Sequence, residues 1–251
     1  MNREDAKRLV QGFIGKQQIP DFGLEETGRI LPLRPMIEKL VKLSETEFGM
    51  YAWSREPLER KFDREEKLRY ILEAGRCGRE EAALLKEEYQ TGDPDIIARN
   101  MGLKVFTPDI PIGGGHVIFA QYVEPDEVTI FMDGVERAER LIADHSLGGL
   151  LEHVDVRSLL LAHEIFHGVE YRKEDSIYTK TEKVELWKRP FSNKSRLVCL
   201  GEIAGMEFAR EMLGISFSPY VLDVLLMYGY QEDAATALYE EIMDITQITA
   251  D

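Results

Sequence analysis

At 251 residues, 44% of them hydrophobic and 31% charged, the chain is long enough for one large domain, or a domain with an extension, around a sizeable core. A formal net charge of −15 repels phosphate backbones, which argues against direct binding to DNA or RNA. No apolar run approaches the roughly 20 residues of a membrane span, and no secretory signal core is visible. The two cysteines, Cys77 and Cys199, form no C-x-x-C pair, so a reduced, cytoplasmic setting is expected.

In chain order, residues 1–90 read as a charged, helical N-terminal extension. Leu9, Val10, Phe13 and Ile14 follow helical spacing, as do Ile37, Leu40 and Val41, with a loop containing Pro20, Gly23, Gly28 and Pro32 between them. Asp63 and Glu66 have the spacing of a capping box for a helix through Leu68 and Leu72. A second charged amphipathic helix is predicted from Arg79 to Tyr89. The character changes at Thr91-Gly92-Asp93-Pro94. Asp93 can cap a helix that has Pro94 in its first position, and Gly102 can end it.

Three strands are then predicted, over 103–107, 116–123 and 128–132. The turn Glu124-Pro125-Asp126 makes an antiparallel hairpin of the last two. Asp133-Gly134 opens a helix of about a dozen residues, and Asp155 is a candidate N-cap for a helix running to about Tyr171. Residues 172–196 read as polar and irregular. A helix follows over 198–213 with Gly214 as its stop, another starts at Ser218-Pro219, and a last one covers about 233–248. The order is that of an α+β protein with a small, mostly antiparallel sheet and further helices at both ends.

The helix expected after Asp155 carries Ala162-His163-Glu164-Ile165-Phe166-His167, an H-E-x-x-H pattern in a chain with five histidines. Composition alone yields this pattern roughly 0.02 times in such a chain. One helical turn separates His163 from His167, so both imidazoles can reach one zinc ion, with Glu164 beside them as general base. Catalytic zinc takes three protein ligands and a water. A third histidine six residues on is excluded, because Lys173 stands there. The leading third ligand is Glu202, set among Gly201, Ala204 and Gly205, which allow a close helix approach. Glu207 is second, about 140° away around the helix, and a cysteine ligand at Cys199 is weaker. Glu170, on the ligand face, can orient a ligand or stand as a solvated helix-end acid. Tyr178 is the oxyanion candidate among Tyr171, Tyr178 and His153. His116 after Gly113-Gly114-Gly115 reads as a flexible loop rather than a phosphate loop, and His145 as an ordinary loop residue.

The stretches from Asp93 to Val105, Val117 to Ala120, Val128 to Phe131, Ala162 to His167 and Glu202 to Leu213 together resemble the ImmA/IrrE zinc metallopeptidases over roughly residues 91–215. Where that family often reads E-A-N-x-F-A, this chain has Ala204 four residues before Phe208, and Glu202 two positions earlier. The resemblance implies a zincin-like metallopeptidase domain over 91–251, a glutamate third ligand and cytoplasmic proteolysis of a peptide or protein substrate, often a regulatory protein. The leading expectation is a zinc peptidase. A catalytically silent zinc sensor and a zinc hydrolase of a small amide are the alternatives.

Overall fold

The computed structural model describes residues 29–109, 118–187 and 193–248. Helices α1 (Leu33–Leu40), α2 (Glu45–Ser54), α3 (Arg64–Tyr89) and α4 (Pro94–Asn100) lead into strand β1 (Lys104–Phe106). Strands β2 (Ala120–Val123) and β3 (Glu127–Ile130) follow, then α5 (Met132–Asp144), α6 (Val156–Arg172) and α7 (Tyr178–Thr181). The hairpin β4 (Val184–Trp187) and β5 (Asn193–Ser195) precedes α8 (Cys199–Leu213), α9 (Val221–Tyr228) and α10 (Glu232–Ile248). The chain is thus α+β and mostly helical. The expected helix around Leu9, Val10, Phe13 and Ile14 lies outside the described residues, as do His116 and its glycine run. No helix among the described residues is long and apolar enough to cross a membrane.

The main sheet has the order β1-β3-β2. β2 and β3 pair antiparallel, with Tyr122 opposite Val128. β1 pairs with β3 in parallel, with Val105 opposite Val128. The sheet is therefore mixed, not mostly antiparallel. A short turn betrays a hairpin locally, whereas the direction of β1 is set by a distant connection that leaves no mark in the sequence. The third strand also ends two residues early, because Met132 opens α5.

Two further expectations are corrected. The charged segment before residue 90 is one 26-residue helix, not two, and it starts at the Asp63–Glu66 capping box. Gly75 and Gly78 weaken its local helical signal, but tertiary packing holds it straight through them. At Gly78 an added Cβ would lie 2.0 Å from the Ala204 carbonyl oxygen, so the glycine lets the α3 and α8 backbones touch. Residues 172–196, read as irregular, contain α7 and the β4–β5 hairpin.

Helices α3, α8 and α6 form the centre of the fold. α8 lies between the other two, and β2 and β3 cover α6. Phe166 of α6 meets Phe208 of α8 at 5.5 Å between ring centroids, both fully buried. Each such ring contributes about 1.5–3 kcal/mol by leaving water. A bidentate ion pair at 2.7 and 2.8 Å joins Arg157 in the first turn of α6 to Asp95 of α4. One hydrophobic core runs from Leu33 to Ile242, so it continues across residue 90, where the sequence suggests a boundary.

Candidate metal centre

Helix α6 is capped by Asp155, whose carboxylate accepts from the Ser158 backbone N–H at 2.6 Å. Every residue from Leu159 to Glu170 is buried. Four of these are ionisable: His163, Glu164, His167 and Glu170. Helix formers that bury charge need partners, because isolated charges are expelled from apolar surroundings.

Helix α8 brings the partner for two of them. His163 Nε2 and His167 Nε2 lie 3.1 Å apart. Glu202 Oε2 is 3.5 Å from His163 Nε2, and Glu202 Oε1 is 3.8 Å from His167 Nε2. One ligand atom from each residue falls within 4.8 Å of the others. Ligands at about 2.0–2.1 Å from a tetrahedral zinc stand roughly 3.3 Å from one another, so the spacing and the His-His-Glu donor set fit that ion. Small residues make the approach feasible. A Cβ on Gly205 would come within 2.9 Å of the His163 ring, and one on Gly201 within 3.0 Å of the Glu170 carboxylate.

Glu170 does not lie in solvent. Its carboxylate faces His167 Nδ1 at 3.0 Å, accepts from the Thr179 hydroxyl and pairs with Lys180 Nζ at 3.1 Å. An Nδ1–H donated to Glu170 leaves the Nε2 lone pair turned toward His163 and Glu202. Burial pushes the Glu170 carboxyl up, but the His167 hydrogen bond and charge, with Lys180, pull it down to about 2. Burial likewise opposes charge on His167, yet Glu170 and Glu202 raise it to about 9. His163 is lowered, chiefly by burial.

Glu164 is different. Both its oxygens are buried and make no hydrogen bond to another side chain among the described residues. Burial, helped by Glu202, lifts its carboxyl to about 8, with His167 and the Tyr122 backbone amide on β2 opposing. A carboxyl so raised is suited to taking and returning a proton near neutrality.

The remaining candidates are placed elsewhere. Glu207 turns away from the cluster and pairs with Arg79 at 2.7 Å and Arg210 at 3.3 Å. Cys199 is buried and stands outside the ligand cluster. Its backbone N–H donates to Glu56 Oε2 at 3.1 Å, and this carboxylate satisfies the first turn of α8. Tyr178 is set against α3, where Glu182, Tyr70 and Arg69 are the charges acting most on it. Tyr171 and His153 are exposed, and His145 lies against the Tyr228 ring.

Sequence reasoning missed a buried polar group at the start of α9. The Tyr51 hydroxyl donates to Asp223 Oδ2 at 3.1 Å, and Tyr220 packs beside them. No motif links Tyr51, Tyr220 and Asp223, since the contact spans most of the chain. Burial raises the Asp223 carboxyl from its ordinary 3.8 to about 7. The folded state then holds the proton more tightly than the unfolded chain. Stability from this group is complete below about pH 4 and falls toward pH 7, by about 1.4 kcal/mol per pH unit in that window. Asp223→Asn stays neutral, so it should melt above wild type at pH 8 and level with it at pH 4. Parallel melting curves across pH would refute this assignment.

Comparison with protein-family models, with curated proteins and with solved structures returned no match to this chain.

Proposed function

We propose that the chain is a zinc-dependent peptidase with a zincin-like centre, as the likeness to the ImmA/IrrE metallopeptidases implies. The observation that carries this reading is the convergence of His163, His167 and Glu202 beside a buried carboxyl, Glu164, that has no side-chain hydrogen-bond partner among the described residues. A purely structural histidine pair would not require that second, buried acid.

A zinc ion at this centre would supply Lewis acidity, polarising a scissile carbonyl and making a water a better nucleophile. Glu164 takes the proton of the attacking water and returns it to the leaving amine. Glu170 holds His167 in the tautomer whose Nε2 faces the centre. Strand β2 pairs only with β3 among the described residues and lies along α6. An extended peptide adding to its outer edge would pass next to Glu164.

The test is metal content and cleavage measured together. Dialysed protein titrated with Zn2+ is expected to bind one ion per chain, and a chelator is expected to abolish cleavage of a denatured protein pool. Glu202→Ala should weaken zinc by more than about 100-fold, since even outer-shell partners are worth about 10- to 100-fold. Unchanged affinity in that variant would remove Glu202 from the ligand set.

A further inference from the structure

Glu170 is 1% exposed, and on α6 its carboxylate meets the His167 ring. A charge so enclosed needs donors on both oxygens. The short helix α7 brings them. The Thr179 hydroxyl donates to Glu170 Oε1. Lys180 Nζ lies 3.1 Å from Oε2, the same oxygen that faces His167 Nδ1 at 3.0 Å. On a further side stands the α8 backbone, where a Cβ on Gly201 would come within 3.0 Å of Oε1 and 3.3 Å of Oε2. Gly201 directly precedes Glu202. One carboxylate is thus set between the helix that offers two proposed ligands and the helix that offers the third.

A helix of four residues does not hold its shape by its own hydrogen bonds. α7 is fixed from outside instead. The Ile177 backbone N–H donates to the Lys173 carbonyl oxygen at 2.8 Å, and Lys173 Nζ reaches Glu81 of α3 at 2.5 Å. Ile177 and Thr179 are buried, and α7 packs on both α3 and α8. The Lys180 side chain keeps 26% of its surface open. A lysine at that depth ordinarily extends its ammonium to water. Here the ammonium turns inward onto a buried carboxylate, unlike a surface pair that contributes little.

We infer that Lys180 is a positioning residue for the metal centre: with Thr179 it pins the Glu170 carboxylate where Oε2 accepts the His167 Nδ1–H, so that His167 Nε2 is aimed before a cation arrives. This rests on the metal reading above and deepens it. A glutamate side chain has several torsions, and without the α7 donors its carboxylate is free to swing away from His167. Removing the ammonium also leaves more of the Glu170 charge to attract His167. That attraction helps only while the pair stays aligned, because a hydrogen bond weakens steeply off-axis.

Zinc affinity by competition with a chromophoric chelator, and the proton resonance of His167 Nδ1–H in the zinc-loaded protein, test this. Lys180→Met keeps the stem and removes the ammonium, whereas Lys180→Arg keeps the charge. Lys180→Met is expected to weaken zinc about 10-fold and to shift or broaden the Nδ1–H resonance. Lys180→Arg should bring both back toward wild type. In a Glu170→Ala background, Lys180→Met should alter zinc affinity less than about twofold, because its path to the ligand is gone. Should Lys180→Met fail to fold, Thr179→Val removes only the donor to Oε1 and gives the same comparison. Unchanged affinity in Lys180→Met, or an equal loss in the Glu170→Ala background, overturns the proposal while the metal reading stands. Wild type that binds no zinc overturns both, and that result appears before any variant is compared.

Discussion

Glu164→Gln is expected to lower peptide cleavage by about 10²- to 10⁴-fold, the usual worth of a positioned general base, while zinc content stays at the wild-type level. Gln matches the shape of the side chain but cannot accept a proton. The proposed ligand atoms come from His163, His167 and Glu202, so metal retention should not depend on position 164. Both measurements matter. Lost cleavage with retained metal assigns the base. Undiminished cleavage in the variant would exclude Glu164 from the chemistry.

The second large effect is expected far from the chemistry, at Gly78→Ala. Alanine in place of glycine inside a helix ordinarily stabilises by roughly 1 kcal/mol. Here the added methyl would meet the Ala204 carbonyl oxygen at 2.0 Å and the Phe208 backbone nitrogen at 2.9 Å. Both are backbone atoms of α8, with no rotamer to yield. The variant is therefore expected to lose about 2–4 kcal/mol of unfolding free energy, read by chemical denaturation. A neutral or stabilised variant would show that α3 and α8 do not meet this closely.

The sequence was most legible where the signal is local. Asp63 with Glu66, Asp93 with Pro94, and Asp155 before Ser158 mark helix starts that the structure places at those caps. Gly214, with φ of 65°, ends α8 in the left-handed conformation that glycine adopts without strain. His163, Glu164 and His167 could be picked out because a helix repeats every turn and a ligand pair needs that spacing. Glu202 was reachable through the small residues around it. The parallel β1–β3 pairing, the unbroken α3 and the α7 turn escaped, because each is decided by a partner distant in sequence. The same holds for Thr179 and Lys180 beneath Glu170, and for Glu56 at the start of α8. Nearness along the chain singles out Tyr178. The fold instead turns it toward Tyr70 and Arg69.

The three proposed ligands come from two helices, and α3 packs along the one that carries Glu202. On the metal reading, an unfolded chain offers only the two imidazoles of one segment and competes poorly for the ion. Occupancy and folding are then linked equilibria. Above saturation, each tenfold rise in free zinc should deepen the native basin by about 1.4 kcal/mol. Cellular metal supply would in that way set the lifetime of the chain as well as its activity.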